Sequence, residues 1–260
     1  SDALVRKKWK NINPEIVSKV YSSGRKLFLH ELSKSTPERR KINPEYKQRI
    51  WDIEFNCPLF NAGGMFKKGE GYYVVAAQGA GAYLSGTTTA NPRIGNIKNN
   101  NKHPFISYPY SSSASNWMGL PNEGHEIVAQ RLSRLEHRPG CPIGASLSTD
   151  PSSSGQKAID ELIQGIFQYT KANVDFIEIN ESCPNVPHGE SHGGLDNSLI
   201  ERLEQISQKV LKKRQRNCPM VVKFSNDISV EQLPELINTL IYLEFDGINL
   251  GNTSTRYEYY

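Results

Sequence analysis

Asp175-Phe176-Ile177-Glu178-Ile179-Asn180, the loop Glu181-Ser182-Cys183-Pro184-Asn185, the helix opening Ser198-x-x-Glu201 and the run Met220-Val221-Val222-Lys223-Phe224 together decide the fold of this chain. A β-type run, a polar loop, an amphipathic helix and a second β-type run make one strand–helix–strand unit, the mark of a parallel sheet. The helix carries Leu199, Ile200, Leu203, Ile206, Val210 and Leu211 on one face, at the spacing of a 3.6-residue turn. The unit repeats. Cys57–Ala62, Ala82–Ser85, Pro142–Leu147 and Gly247–Leu250 read as further strands, which makes six with the two above. Ile159, Leu162, Ile163, Ile166 and Phe167 mark another helix, and Ser229-x-x-Gln232 opens one with Val230, Leu233, Leu236, Ile237 and Leu240. Neither GxGxxG nor GxxxxGK[ST] occurs, which argues against a nucleotide-binding open sheet. The fold class expected is α/β, a (β/α)8 TIM barrel that lacks its last two βα units in these 260 residues.

Composition narrows the function. The chain is 37% apolar with a net charge of +4, too little charge to imply a nucleic-acid partner. Its longest unbroken apolar run, Tyr72 to Ala77, is far short of the roughly 18–20 residues that cross a bilayer, and no signal-like segment opens it. A cytoplasmic protein is expected. The four cysteines, at 57, 141, 183 and 218, form no CxxC pair, so neither a disulfide scaffold nor a zinc ribbon is expected. His188 and His192 flank Glu190 at i,i+4 spacing, but Pro187 and Gly189 forbid a helix there, so a loop is expected and no metal site. The basic run Lys212 to Arg216 ends a helix, where cations complement the dipole.

Polar, glycine-rich segments follow the strands at Gly63–Gly69, Gly86–Thr89, Asn180–Asn185 and Gly251–Ser254, and in a barrel such loops meet at one face. Cys183 lies in one of them. A loop thiol can serve as nucleophile or general base, although a lone cysteine is as a rule a small buried hydrophobe. Asn116, Asn180, Asn185 and Asn252 each bring a donor and an acceptor, which suits a planar heterocycle with imide edges. Lys67 and Lys223 are the candidate cations. Lys223 ends a strand, where its ammonium would face the barrel mouth and could stabilise developing negative charge.

These segments, in this order, resemble the dihydroorotate dehydrogenase family. The likeness rests on Asn61-Ala62-Gly63-Gly64-Met65, Ala80-Gly81-Ala82-Tyr83, Asn116-Trp117-Met118-Gly119-Leu120-Pro121-Asn122, Glu178 to Pro187 and Asp246-Gly247-Ile248-Asn249, and runs from about residue 52 to the end. It implies FMN as cofactor and Cys183 as the base that takes a proton from C5 of dihydroorotate while a hydride passes from C6 to the flavin. By the same resemblance Asn116, Asn180, Asn185 and Asn252 hold the substrate, with Met118, Gly119, Leu120 and Thr253 beside them. Lys223 and Asn180 meet the flavin, and Ala62, Gly63, Thr87 and Ser146 line it. The match is mixed between classes. Gly86 stands where the cysteine-dependent class has a lysine, whereas Lys67 matches a substrate lysine of the serine-dependent, membrane-associated class. The electron acceptor implied is therefore quinone, fumarate, or NAD through a partner, and a homodimer is open.

Residues 1–50 read as a separate helical extension ahead of a catalytic domain at 51–260. Asn13-Pro14-Glu15, Thr36-Pro37-Glu38 and Asn43-Pro44-Glu45 each have the pattern of a helix start. Ile16, Val17, Val20, Tyr21, Leu27, Phe28 and Leu32 form an apolar stripe, which either packs on the following domain or serves as a lid that meets a membrane surface and admits quinone. Two other functions stay open from the residues alone: another FMN-barrel pyrimidine reductase, such as one acting on dihydropyrimidine or dihydrouridine, and a non-catalytic barrel remnant that binds a partner.

Overall fold

The computed structural model describes residues 13, 16, 20, 27, 30, 31, 34, 37–97, 105–108, 113–182 and 196–254, with 105–108 described as backbone only. A hairpin of β1 (Gln48–Ile50) and β2 (Ile53–Phe55) leads to helix α1 (Tyr72–Ala77) and strand β3 (Tyr83–Thr88). A second hairpin, β4 (Phe105–Tyr108) and β5 (Ser113–Asn116), precedes α2 (His125–Leu132), β6 (Ile143–Leu147), α3 (Gly155–Lys171) and β7 (Phe176–Asn180). The chain continues through α4 (Asn197–Lys209), β8 (Met220–Phe224), α5 (Leu233–Tyr242) and β9 (Gly247–Leu250). Strands β3, β6, β7, β8 and β9 form one sheet in that order, every pair parallel. This is the arc of barrel that the alternating strand and helix patterns predict, with five of the six expected strands.

Strand alternation divides the core in two. Tyr83, Ile143, Ala145, Leu147, Ile177, Ile179, Met220, Val222 and Phe224 pack outward on one cluster with α2, α3, α4 and α5. Ala82, Leu84 and Phe176 point to the other face, where Phe55 of β2 joins them with Trp51 and Ile53 packed behind. The hairpin thus plugs the end of the sheet at which the strands start. Phe176 fills the middle of the plug, with Phe55 and Phe60 at ring-centroid distances of 6.3 and 6.2 Å.

Several expectations need correction. Cys57–Ala62 is not a strand: the Asn61 side chain meets β3 in place of the backbone, donating to Leu84 O (2.7 Å) and accepting from Leu84 N (3.2 Å). Backbone pairing with β3 comes further along, at the bridge of Phe66 with Ser85. Residues 37–43 are not helical, and the start at Asn43 yields only the 3-10 turn Pro44–Tyr46. Helix α4 is capped by Asp196 and not by Ser198: its carboxylate accepts from Leu199 N at 2.7 Å. Phe167 on α3 is exposed, and Tyr169 takes the buried place instead. In the extension Ile16, Val20 and Leu27 are helical as expected, but all three are exposed, so at these positions the stripe does not pack on the sheet. The basic run does not end helix α4, which stops at Lys209: Lys212 and Lys213 lie in a following 3-10 turn, and beyond it Arg214 grips Asp246 and Arg216 donates to Val174 O.

Gly144 on β6 lies directly beneath the Phe176 ring, where an added Cβ would come within 2.3 to 2.8 Å of three ring carbons. Gly144→Ala should therefore destabilise the chain by about 1–3 kcal/mol, the usual cost of overpacking. Urea unfolding should show Phe176→Leu recovering part of that loss when combined with it, and a Gly144→Ala variant as stable as the parent would refute the plug.

Candidate active site

The face at which the strands end is polar because the inward residues change character along each strand. On β7 the inward positions run Phe176, Glu178, Asn180, from an aromatic plug to a carboxylate to an amide. Register places Ser146 of β6 beside Glu178, and Lys223 of β8 between Asn180 of β7 and Asn249 of β9. All of these except Asn249 are buried.

One hydrogen-bonded chain joins most of them. Asn249 Nδ2 donates to one Glu178 oxygen at 2.7 Å, and Ser146 Oγ donates to the other at 2.8 Å. Ser146 Oγ lies 2.9 Å from Thr87 Oγ1, which accepts from Asn180 Nδ2 at 2.8 Å. Asn180 Oδ1 accepts from both the backbone N–H (3.1 Å) and the hydroxyl (2.7 Å) of Ser182, and Asn252 Nδ2 donates to Ser182 O and Oγ. Of the sequence-predicted residues, Thr87, Ser146, Asn180 and Asn252 belong to this chain. Gly63 stands over it: a Cβ there would come 3.2 Å from both Glu178 Oε1 and Ser146 Oγ, so the backbone lies close against the polar floor and a side chain would press on it. Lys223 is 6% exposed, and its ammonium has no carboxylate or hydrogen-bond acceptor among the described residues.

The other predicted residues lie around this cluster. Ala62 is exposed beside Gly63, and Lys67 Nζ sits 3.4 Å from where a Gly64 Cβ would be. Asn116, Met118, Gly119 and Leu120 form a strap held by the loop before it: Asn96 N donates to Met118 O, and Arg93 Nε to Gly119 O. Asn122 ties the strap to Thr89, just beyond β3, accepting from Thr89 N and donating to its Oγ1. Asp150 anchors the far side through Arg93, Asn91 and Ser152. Burial pushes its carboxyl up, but the hydrogen bonds from Ser152 and Asn91 outweigh that and hold it below the ordinary carboxylate range. Thr253 is exposed, with its N–H on Asn252 Oδ1. Cys183, Asn185 and the 188–192 histidine pair lie outside the described residues.

Gly86 explains the departure noted in sequence. Its φ is 105°, and an added Cβ would fall 2.3 Å from Ser146 O, so no lysine can stand there with this backbone. Sequence reasoning missed Glu178, Asn249 and the Glu181–Arg202 pair that roots the loop after β7. Arg202 donates to both Glu181 oxygens at 2.8 and 2.7 Å, and the carboxylate beside it raises the guanidinium pKa further. A charged residue in the middle of a buried strand was the available signal for Glu178. Two described cysteines are poor bases, since burial pushes Cys141 up to about 12 and Cys218 up to about 11; Cys57 is buried with its thiol on backbone carbonyls.

Comparison with known proteins fits this geometry. The dihydroorotate dehydrogenase family model matches residues 45–259. A "Dihydroorotate dehydrogenase (quinone)" of Mycobacterium sp. (strain KMS) is 28% identical over 212 residues, 82% of this chain and 56% of that protein. One so named from Halorhodospira halophila is 28% identical over 257 residues, 97% of this chain and 71% of that protein. The chain spans about half the length of most of these curated relatives. Among solved structures, the Eimeria tenella DHODH in complex with ferulenol superposes with a TM-score of 0.76 at 18% identity, over 90% of this chain and 67% of that one. The ligand-free form gives 0.75 at 19% over 90% and 70%. The fold is thus that of a TIM barrel.

Behind Thr87, Thr88 points to the helix layer, where its Oγ1 meets His125 Nδ1 at 2.9 Å and Tyr169 OH at 2.8 Å, while His125 Nε2 has no partner among the described residues. Burial drives the His125 pKa down from 6.5 to about 3, with Asp150 a smaller opposing influence, so the ring is neutral in the fold. Because the folded value lies below the unfolded one, the unfolded chain gains the first proton. Stability is then fully present above about pH 6.5 and falls toward pH 3, by up to about 1.4 kcal/mol per pH unit from this group. Urea midpoints at pH 7 and 5 should show a smaller pH slope in His125→Gln than in the parent, and equal slopes would refute the neutral histidine.

Proposed function

The chain belongs to the dihydroorotate dehydrogenase family, and on that premise we propose that it oxidises (S)-dihydroorotate to orotate, with hydride transfer to FMN, in de novo pyrimidine synthesis. The observation that carries the reading is the buried Lys223, unmatched among the described residues, beside an amide and hydroxyl floor at the ends of parallel strands. A lone ammonium inside a fold is costly unless a ligand supplies its counter-charge. The cradle at Gly63 suits a planar group laid on backbone, so the residues fit the flavin ring. Ala62, Gly63, Thr87, Ser146, Asn180 and Lys223 would hold it, and FMN when bound would supply the acceptor for the C6 hydride. Lys223 provides the positive charge that a ring gaining a hydride calls for.

Cys183 is the base for the C5 proton in this reading, and Asn116, Asn180, Asn185 and Asn252 hold the pyrimidine and its carboxylate, with Lys67, Met118, Gly119, Leu120 and Thr253 around them. Two things support the cysteine: the motif around it, and the burial of the other three thiols. Residues 1–50 act as an accessory segment to the catalytic domain. No helix among the described residues is long and apolar enough to cross a membrane. The exposed Ile16, Val20 and Leu27 suit a surface that meets quinone or lipid headgroups, and the curated relatives carry quinone in their names, so quinone is the acceptor proposed over fumarate or NAD.

Cys183→Ala should still bind FMN and orotate while flavin reduction by dihydroorotate, followed by stopped-flow absorbance, drops about 10²–10⁴-fold. Reduction near the parental rate would remove Cys183 from the chemistry. For the acceptor, Ile16, Val20 and Leu27 changed together to Ser should lower turnover with a ubiquinone analogue about tenfold or more and leave reduction by dihydroorotate within twofold. Equal quinone turnover, or faster turnover with fumarate or NAD in the parent, would sink the quinone assignment.

A further inference from the structure

The hydrogen-bond directions in the polar chain can be worked out from its ends. A carboxylate only accepts, so both Ser146 and Asn249 must donate to Glu178. The Ser146 proton is then committed. In the contact of Ser146 with Thr87, Thr87 must therefore be the donor, and Thr87 in turn accepts from the Asn180 amino group. At the other end a backbone N–H only donates, so Ser182 N fixes Asn180 Oδ1 as the acceptor and gives the same sense. Every proton in the chain from Asn252 through Ser182, Asn180, Thr87 and Ser146 points toward Glu178.

This direction decides what the floor has left to offer. Asn180 has its oxygen used twice by Ser182 and one N–H used by Thr87, so among the described residues a single N–H remains. Thr87 has its proton on Ser146 and one lone pair on Asn180, so one lone pair remains. These two groups are 2.8 Å apart and present a donor beside an acceptor. We infer that Glu178 is a positioning residue that makes the Thr87–Asn180 pair a reader of a lactam or imide edge, a C=O next to an N–H. The inference rests on the reading of a pyrimidine and flavin site, and both ligands carry such edges. Had the chain run the other way, Thr87 would hold two acceptances and offer an O–H, two donors side by side, which clash with the N–H of that edge.

Glu178→Gln tests this with little change in volume. When the exposed Asn249 keeps its amino group on the Gln oxygen, the new amino group faces Ser146 and donates to it, which turns the Ser146 proton toward Thr87 and reverses that link. In Glu178→Gln/Asn249→Asp the amino group donates to the new carboxylate at position 249, the Gln oxygen accepts from Ser146, and the original sense returns. Affinities are measured on the full chain in two arms: FMN by fluorescence quenching with apoprotein, and orotate by the spectral shift of the FMN-loaded protein. Glu178→Gln should weaken at least one arm about tenfold, and the double variant should restore that arm to within about threefold; the arm that moves identifies the edge being read. Both arms within twofold of the parent, or a loss that the double variant leaves in place, would overturn the inference. The side-chain amide protons of Asn180, followed by NMR in the ligand-free chain, should shift in Glu178→Gln and return in the double variant, and their failure to do so would also overturn it. A parent that binds neither ligand yet shows the NMR shift and return would refute the proposed function and leave the positioning role standing.

Discussion

A carboxylate placed inside a parallel sheet, 2% exposed, can be tolerated only if each of its oxygens is met by a donor, since an unpaired buried charge costs several kcal/mol. Glu178 imposes that demand on its neighbours. Ser146 on β6 and Asn249 on β9 meet it from either side, and a glycine at 63 lets the loop after residue 60 lie close over the same spot. The polar floor, the backbone laid against it and the orientation of the Asn180 amide are thus linked to one buried carboxylate. Beneath it the Phe176 plug keeps water from the carboxylate on the side where the strands begin.

The parallel strands were legible because strands covered on both faces read as nearly continuous apolar runs, and helices with an apolar stripe separate them. What failed was local. Cys57–Ala62 has the residues of a strand, but Asn61 satisfies Leu84 through its side chain, a substitution of amide for backbone that no periodicity reports. Proline after a polar residue signals a helix start only where an apolar stripe follows, and after Thr36 none does, so residues 37–43 stay irregular. Phe167 and Tyr169 show the same limit: both suit the apolar stripe of α3, and the choice between them was made by Thr88, whose hydroxyl offers a partner only to the tyrosine.

In the site, the residues with an obvious motif drew attention in the sequence and those that hydrogen-bond to them did not. Thr87, Ser146, Asn180, Asn252 and Lys223 are adjacent in space although they come from four strands and a loop, because register brings strand ends to one face. Glu178, Asn249, Asp150 and His125 lie one step behind. Their roles depend on which strand neighbours which and on how side chains alternate, and single residues in sequence carry little of that. The mixed class features also find a physical reason here: a glycine at 86 with φ of 105° against Ser146 O excludes a lysine, and Lys67 brings a cation in from the next loop, above Gly64.

The burial of Cys57, Cys141 and Cys218 has a practical consequence for covalent chemistry. Alkylating reagents and electrophilic drugs act on accessible thiolates, and these three thiols are shielded, two of them with their ionisation pushed to high pH. Of the four cysteines in the chain, only Cys183 belongs to a polar loop motif. A maleimide tag or an acrylamide warhead applied to the native protein would therefore meet no exposed thiol among the three described cysteines, so a single adduct seen by intact mass would point to Cys183 without first removing a competing thiol.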